Sequence, residues 1–129
     1  MIADTSFLID VMAKELSAVK KAGELEKQGF PIFVGSPSVF ELFVGVILSK
    51  KVEDERSKII SIVGSLPQLP LGFSSASTGG SIYGKKMAGS RIDPEDAMLA
   101  GIAKVHGETI ITRNVKHFSG LEGITVEGY

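Results

Sequence analysis

Three carboxylates stand in apolar surroundings. Asp4 closes the apolar opening Met1-Ile2-Ala3, and Glu41 is the only charged residue between Phe30 and Lys50. Asp96 precedes the uncharged run Ala97-Met98-Leu99-Ala100-Gly101-Ile102-Ala103. An ionised carboxylate is costly to bury unless it is hydrogen-bonded, paired or bound to a metal. With no cysteine and only two histidines in the chain, the donors on offer are oxygens, which suit hard cations such as Mg2+ or Mn2+. Those ions bind through a few carboxylates, waters and substrate phosphates, and they assist in-line attack of water on a phosphoryl centre. Phosphodiester hydrolysis is a reaction that these residue types can perform.

The elements that must bring the acids together alternate between short apolar runs and helical patterns. Met1-Ile2-Ala3 reads as a buried strand ending at Asp4, with a helical turn through Phe7, Leu8 and Ile9 after it. An amphipathic helix is expected from Lys14 to Gln28, closed by Gly29. Pro31 to Val34 reads as a second strand. Ser36-Pro37-Ser38 signals a helix start, and the helix from Val39 to about Ser49 is apolar nearly all round, which predicts burial. A further helix spans Val52 to Leu66, and Leu69 to Phe73 is an edge strand at best because Pro70 lacks an N–H. The Ser- and Gly-rich stretch from Ser74 to Gly89 is expected to be helical only around Ile82 to Met87. Asp93-Pro94 opens a helix that runs to about Val105 and ends at Gly107. Thr109 to Thr112 and Ile124 to Val126 complete the strands. This alternation predicts an α/β fold whose parallel sheet is covered on both faces, in one domain over residues 1–129. Ligands of such sheets bind beyond the carboxyl ends of the strands. Asp4 lies at such an end, and Glu41 and Asp96 fall in the first turns of the helices that follow.

Each acid also has a structural role open to it. Ser38-x-x-Glu41 has the form of a capping box. Asp93 can cap a helix whose first position is Pro94, and Asp4 can cap the short helix after it. Helix starts stabilise negative charge, so capping and metal binding are not exclusive. Asn114 follows the Thr109–Thr112 strand at its carboxyl end, where it can be a site residue or a turn residue. The hydroxyls of Ser6 and Thr112 can hold the acids by hydrogen bonds, as groups that orient metal ligands do.

These residues resemble the PIN-domain family. Ile2-Ala3-Asp4-Thr5-Ser6-Phe7-Leu8-Ile9-Asp10 is similar to its first motif, and Ser36-Pro37-Ser38-Val39-Phe40-Glu41-Leu42 to its second. The stretch from Asp96 to Ala103 resembles the third. Ile110-Ile111-Thr112-Arg113-Asn114-Val115-Lys116-His117-Phe118 resembles the fourth. The four come in family order and span nearly the whole chain. The resemblance implies a three-layer α/β/α sandwich with a central parallel sheet and divalent-metal-dependent endoribonuclease activity. It makes Asp4, Glu41 and Asp96 the metal-binding acids and puts Asn114 at the fourth site position, where many relatives carry Asp. A neutral amide there lowers the negative charge of the site. The size of the chain resembles that of the VapC-type toxins of toxin–antitoxin pairs, which implies an RNA substrate, a cognate antitoxin whose tail blocks the cleft, and a homodimer.

Composition narrows the alternatives. Hydrophobic residues make up 43% and charged residues 22%, an ordinary globular balance. The absence of cysteine excludes disulfides and thiolate metal sites and fits the cytoplasm. No signal peptide is visible, and the apolar run Val39 to Leu48 is too short to span a bilayer. A net charge of −1 at pH 7 argues against nucleic-acid binding by bulk charge alone, but not against a local basic rim. Arg113 and Lys116 can contact phosphates; Lys85, Lys86 and Arg91 form the other local basic group, whose lysines read as a solvated face. His106 reads as a helix C-terminal residue and His117 as a surface residue near the fourth motif. Phe7, Phe33, Phe40 and Phe43 read as core rather than as a base-stacking platform. Gly79-Gly80 and Gly84 lack the ending of a phosphate-binding loop. Two rival functions stay open: an RNA-binding or scaffold protein that has lost efficient catalysis, motivated by the missing fourth acid, and a phosphoacceptor domain, for which a suitably placed lysine is lacking.

Overall fold

A computed structural model describes residues 1–87 and 92–129; Arg91 lies outside them. In chain order the elements are β1 (Ile2–Ala3), α1 (Thr5–Met12), α2 (Leu16–Lys27), β2 (Phe33–Gly35), α3 (Ser36–Leu48), α4 (Val52–Ile62), β3 (Gln68–Leu69), α5 (Phe73–Met87), α6 (Pro94–His106), β4 (Ile110–Ile111), α7 (Val115–Phe118) and β5 (Val126–Glu127). The strands form a five-stranded sheet in the order β3-β2-β1-β4-β5, parallel throughout. The central strand β1 pairs Ile2 with Phe33 and Ile110, and Ala3 with Val34 and Ile111.

Because strand side chains alternate, that register sorts the core into two halves. Ala3, Val34 and Ile111 share one cluster with Phe7, Ala18, Leu25, Leu42, Val46 and Ile59 of α1 to α4. Ile2 and Ile110 share the other with Ile82 of α5, Leu99, Ile102 and Ala103 of α6, and Phe118 of α7. Helices therefore cover both faces, which makes the expected α/β/α sandwich. Among the described residues no helix is long and apolar enough to cross a membrane.

Two expectations fail, and each failure has a physical reason. α3 is not buried all round. Pro37, Ser38, Leu42 and Val46 face inward, while Phe40 (63% exposed), Ile47 (66%) and Leu48 (81%) face solvent. One sheet can cover only one side of a helix, so a helix apolar on every side needs a second surface to bury the rest. α5, expected to be helical only near its end, is a helix over its full length. Its small residues form the packing surface against α6, and close packing overrides their weak helix propensity. A Cβ on Gly79 would stand 2.7 Å from the carbonyl oxygen of Ala97, and one on Gly101 would stand 2.7 Å from the Gly79 nitrogen and overlap the Ser75 carbonyl. The two backbones are in contact there, and this contact fixes where α6 lies.

Smaller differences are local. α3 starts at Ser36, capped by Gly35, so Ser38 and Glu41 form no capping box. Ser38 Oγ instead donates to the carbonyl of Ala3, 3.3 Å away. Gly107 closes α6 with φ +65°, the left-handed conformation that lets the chain turn into β4.

Gly101→Ala is expected to lower the stability of the protein by about 1–3 kcal/mol or more, since backbone on the facing helix has to move. Gly84→Ala, at an exposed position of α5 with open space around it, should raise stability by roughly 0.5–1 kcal/mol. Denaturant melts of both variants check the pair; equal effects would refute the backbone-contact account of α5 and α6.

Candidate active site

Asp4 occupies the turn from β1 into α1, in extended conformation at the N-cap position. Its backbone N–H donates to the carbonyl of Ile111 at 3.0 Å, and its own carbonyl accepts the N–H groups of Phe7 and Leu8. The side chain does not cap α1. Ser6 Oγ and Thr112 Oγ1 each donate to Asp4 Oδ2 at 2.7 Å. Those hydroxyls are held in turn: the Arg113 N–H donates to Ser6 Oγ at 3.2 Å and the Asn114 N–H to Thr112 Oγ1 at 2.9 Å. Asp4, Ser6 and Thr112 are all buried, so the carboxylate is fixed in orientation by β1, α1 and the end of β4 together. Both hydroxyls act on Oδ2, which leaves Oδ1 without a side-chain donor among the described residues.

Glu41 lies in the second turn of α3 and accepts from Thr5 Oγ1 at 3.2 Å. Burial pushes its carboxyl above the ordinary value, and the charges of Asp4, Asp96 and Glu95 push the same way against the Thr5 hydrogen bond. Asp96 lies in the first turn of α6. Burial, then the charge of Asp4, raises its carboxyl from 3.8 to about 6, in spite of the neighbouring His117. His117 Nδ1 stands 3.2 Å from Asp96 Oδ2. The carboxylates of Asp4 after β1, Glu41 on α3 and Asp96 on α6 thus feel one another's charge near the carboxyl edge of the sheet. Asn114, the N-cap of α7, is exposed beside Thr112, and its side chain makes no cap hydrogen bond.

Among the described residues no three His, Cys, Asp or Glu side chains stand close enough to close around an ion. The donor set nevertheless fits Mg2+ or Mn2+. Such ions keep several waters and need only one or two carboxylates directly, and the rest of their shell comes from substrate phosphates. Burial first, and repulsion by neighbouring carboxylates second, raise Glu41 and Asp96, and a nearby cation would offset both effects.

Two groups escaped the sequence reading. His117 is the partner of Asp96; its place within the Asn-x-x-His-Phe ending was the available signal. Asp10 is buried at the end of α1. Arg113 Nη1 donates to both of its oxygens, at 2.9 and 3.0 Å, and the Tyr129 hydroxyl donates to Oδ2 at 2.6 Å. Burial, and then donation to Asp10, raise the Tyr129 phenol. The Tyr129 ring meets Phe7 edge-on with centroids 5.0 Å apart. Nothing in the local sequence marks Tyr129 as a partner of Asp10. Arg113 is therefore anchored through one nitrogen, with the rest of its guanidinium half-exposed. Lys116 is exposed and makes no ion pair among the described residues. His106 is the exposed last residue of α6.

The family model described as PIN domain matches residues 1–122. No curated protein matches the chain. Among solved structures, VapBC2 from Rickettsia felis bound to a DNA fragment from its promoter is 23% identical with a TM-score of 0.89, over 99% of this chain and 97% of that one. DNA-bound VapBC from Salmonella typhimurium is 23% identical with a TM-score of 0.87, over 98% and 96% of the two chains. VapC20 of Mycobacterium tuberculosis, a Sarcin-Ricin loop cleaving toxin, is 8% identical with a TM-score of 0.66, over 95% and 97%. At these identities the likeness is one of fold.

The raised Asp96 value has a signed consequence for stability. Its folded value of about 6 exceeds the ordinary 3.8, so the folded state binds the proton more tightly than the unfolded one. This group therefore destabilises the metal-free protein above about pH 6, and stability is regained as pH falls through the window between the two values. Asp96→Asn should raise the Tm of metal-free protein at neutral pH, and the advantage should shrink steadily toward about pH 4. Thermal melts of both proteins across that range check it, and a difference that does not vary with pH would contradict the assignment.

Proposed function

Because the chain belongs to the PIN-domain family, we propose that it is a divalent-metal-dependent endoribonuclease and the toxin of a toxin–antitoxin pair. The observation that carries the reading is that Asp4, Glu41 and Asp96 lie near enough to feel one another's charge, with the two helix-borne acids raised by burial and then by the other charges. Structural neighbours that are VapBC assemblies, and VapC20, described as a Sarcin-Ricin loop cleaving toxin, support the class.

Asp4, Glu41 and Asp96 would hold the metal, with Asn114 contributing through a water. When bound, such an ion supplies charge stabilisation to a phosphodiester and makes water more acidic. The protein's own groups do the rest. Ser6 and Thr112 fix the Asp4 carboxylate, and His117 orients Asp96. Glu41, whose raised value favours proton uptake, accepts the proton of the attacking water. Arg113, held by Asp10, and the exposed Lys116 offer positive charge to RNA phosphates flanking the cleft.

The partners follow from two apolar surfaces. A groove of about 350 Å3 between α1, α3 and α4 has an apolar floor of Ile9, Met12, Leu42, Val46 and Ile59, with Glu41, Glu55 and Lys58 among its walls. It suits an amphipathic antitoxin segment that brings a basic side chain to the acids. The C-terminal half of the outer face of α3, with Val44, Ile47 and Leu48 exposed, is uncharged and suits a second copy of the chain in an isologous pair that leaves Phe40, one to two turns earlier, open. A catalytically weak scaffold is the second reading. It is favoured by Asn114 at the fourth position and by the open arrangement of the acids among the described residues.

Cleavage of a mixed RNA pool with Mg2+ or Mn2+ should be lost in EDTA and fall by at least about 100-fold in Asp4→Asn, while Tm is retained. Asn114→Asp should tighten the apparent metal affinity by adding a carboxylate to the site. If wild-type and Asn114→Asp proteins both bind RNA without cutting it, the scaffold reading stands. Ile47→Glu should convert a dimer to a monomer in sedimentation velocity, and an unchanged mass would remove the α3 face from the assembly.

A further inference from the structure

A second concavity, of about 340 Å3, is lined by Ser36, Pro37, Phe40, Leu71, Glu95 and Met98. It adjoins the acids, since Phe40 precedes Glu41, Glu95 precedes Asp96, and the charge of Glu95 is felt at Glu41. Its walls come from the start of α3, the chain after β3 and the first turns of α6. Ser36 Oγ accepts the N–H of Leu71 at 3.2 Å, which ties two of those walls together and leaves the Ser36 proton free to donate. Phe40 and Met98 are 63% and 38% exposed, so a flat ring can reach them. Phe40, expected in the core, is instead at the mouth of the site.

The lining chemistry selects the occupant. Glu95 is the single charged residue in the described lining, and it is an anion, so a phosphate is repelled there. A neutral planar group with hydrogen-bond donors on one edge is what a carboxylate beside an aromatic ring accepts. We propose that the groove formed by Phe40, Met98 and Glu95 is a nucleobase subsite that holds the base beside the scissile phosphate and favours guanine. The guanine N1–H and N2–H donate to the two oxygens of Glu95, the Ser36 hydroxyl donates to O6, and the ring stacks between Phe40 and Met98. Adenine and the pyrimidines do not present two adjacent donors with a neighbouring acceptor in that order. The inference rests on the endoribonuclease reading of the adjacent cleft and gives it a sequence preference.

Binding is read separately from cutting. Fluorescence anisotropy of Asp4→Asn protein with short RNAs, in which single guanines are replaced by inosine or adenine, tests the subsite without cleavage. At one position, loss of the N2 amino group in inosine should weaken binding about tenfold. Glu95→Gln should abolish that discrimination. Phe40→Ala, an exposed position, should weaken binding of all bases about tenfold while preserving their order, and Met98→Ala is a second check on stacking. Equal affinity for guanine, inosine and adenine at every position, or discrimination that persists in Glu95→Gln, overturns the proposal. So does a groove that ignores base identity yet binds an apolar, arginine-bearing peptide in a Glu95-dependent way, which would assign it to a protein partner. Failure of the wild type to cleave RNA counts against the nuclease reading, while base discrimination in binding still decides the subsite.

Discussion

The Asp4 carboxylate, gripped at one oxygen by Ser6 and Thr112, is the interaction on which the arrangement of this site depends. Leaving a carboxylate buried without donors costs several kcal/mol, so the two hydroxyls are what permit an acid to stand where the central strand ends. The grip also has reach. Ser6 belongs to α1 and Thr112 follows β4, and through their oxygens the N–H groups of Arg113 and Asn114 are satisfied. One side chain therefore sets the path of the chain that leads into α7. That short helix presents His117 to Asp96, so the position of the first acid is passed on to the third.

Against that order works the repulsion of like charges. Glu41 and Asp96 are both raised, first by burial and then by neighbouring acids. The fold tolerates this because α3 and α6 are held by packing rather than by their polar ends. Contact between the backbones of α5 and α6 at Gly79 and Gly101 sets α6 in place, and inward-facing Leu42 and Val46 hold α3 on the sheet. A site so built carries negative charge that only a cation can offset. The same separation of tasks lets the surroundings of the acids differ in character: a largely apolar groove beside Glu41, and positive charge after β4, where Asp10 anchors Arg113.

Much of this was legible in the residues. Isolated acids in uncharged stretches marked the side chains that the fold brings within reach of one another's charge. The alternation of short apolar runs with helical patterns gave the parallel sheet, and both are local signals, carried by spacing along a few turns or strands. The boundaries of α2 and α6 follow, within two residues, from the same local rules, with Gly107 in the left-handed conformation as an example. The extent of α5 did not, because the segment before Ile82, with Ser75 and Gly79, favours a helix only when α6 lies against it. Nor did the exposure of α3, since an apolar face does not state whether its cover comes from the same chain.

The amino-acid sequence by itself determined which side chains can do chemistry, the order of the elements, and the end of the sheet at which the acids lie, because these depend on residue type and local periodicity. Tertiary structure alone decided their partners. Thr112 meets Asp4 across 108 residues, Arg113 meets Asp10 across 103, Tyr129 meets Asp10 across 119, and His117 meets Asp96 across 21. Such meetings depend on the register of β1 against β4, where a shift of one residue would turn every side chain to the opposite face. No pattern within a single segment encodes that register; the packing of both faces of the sheet at once selects it.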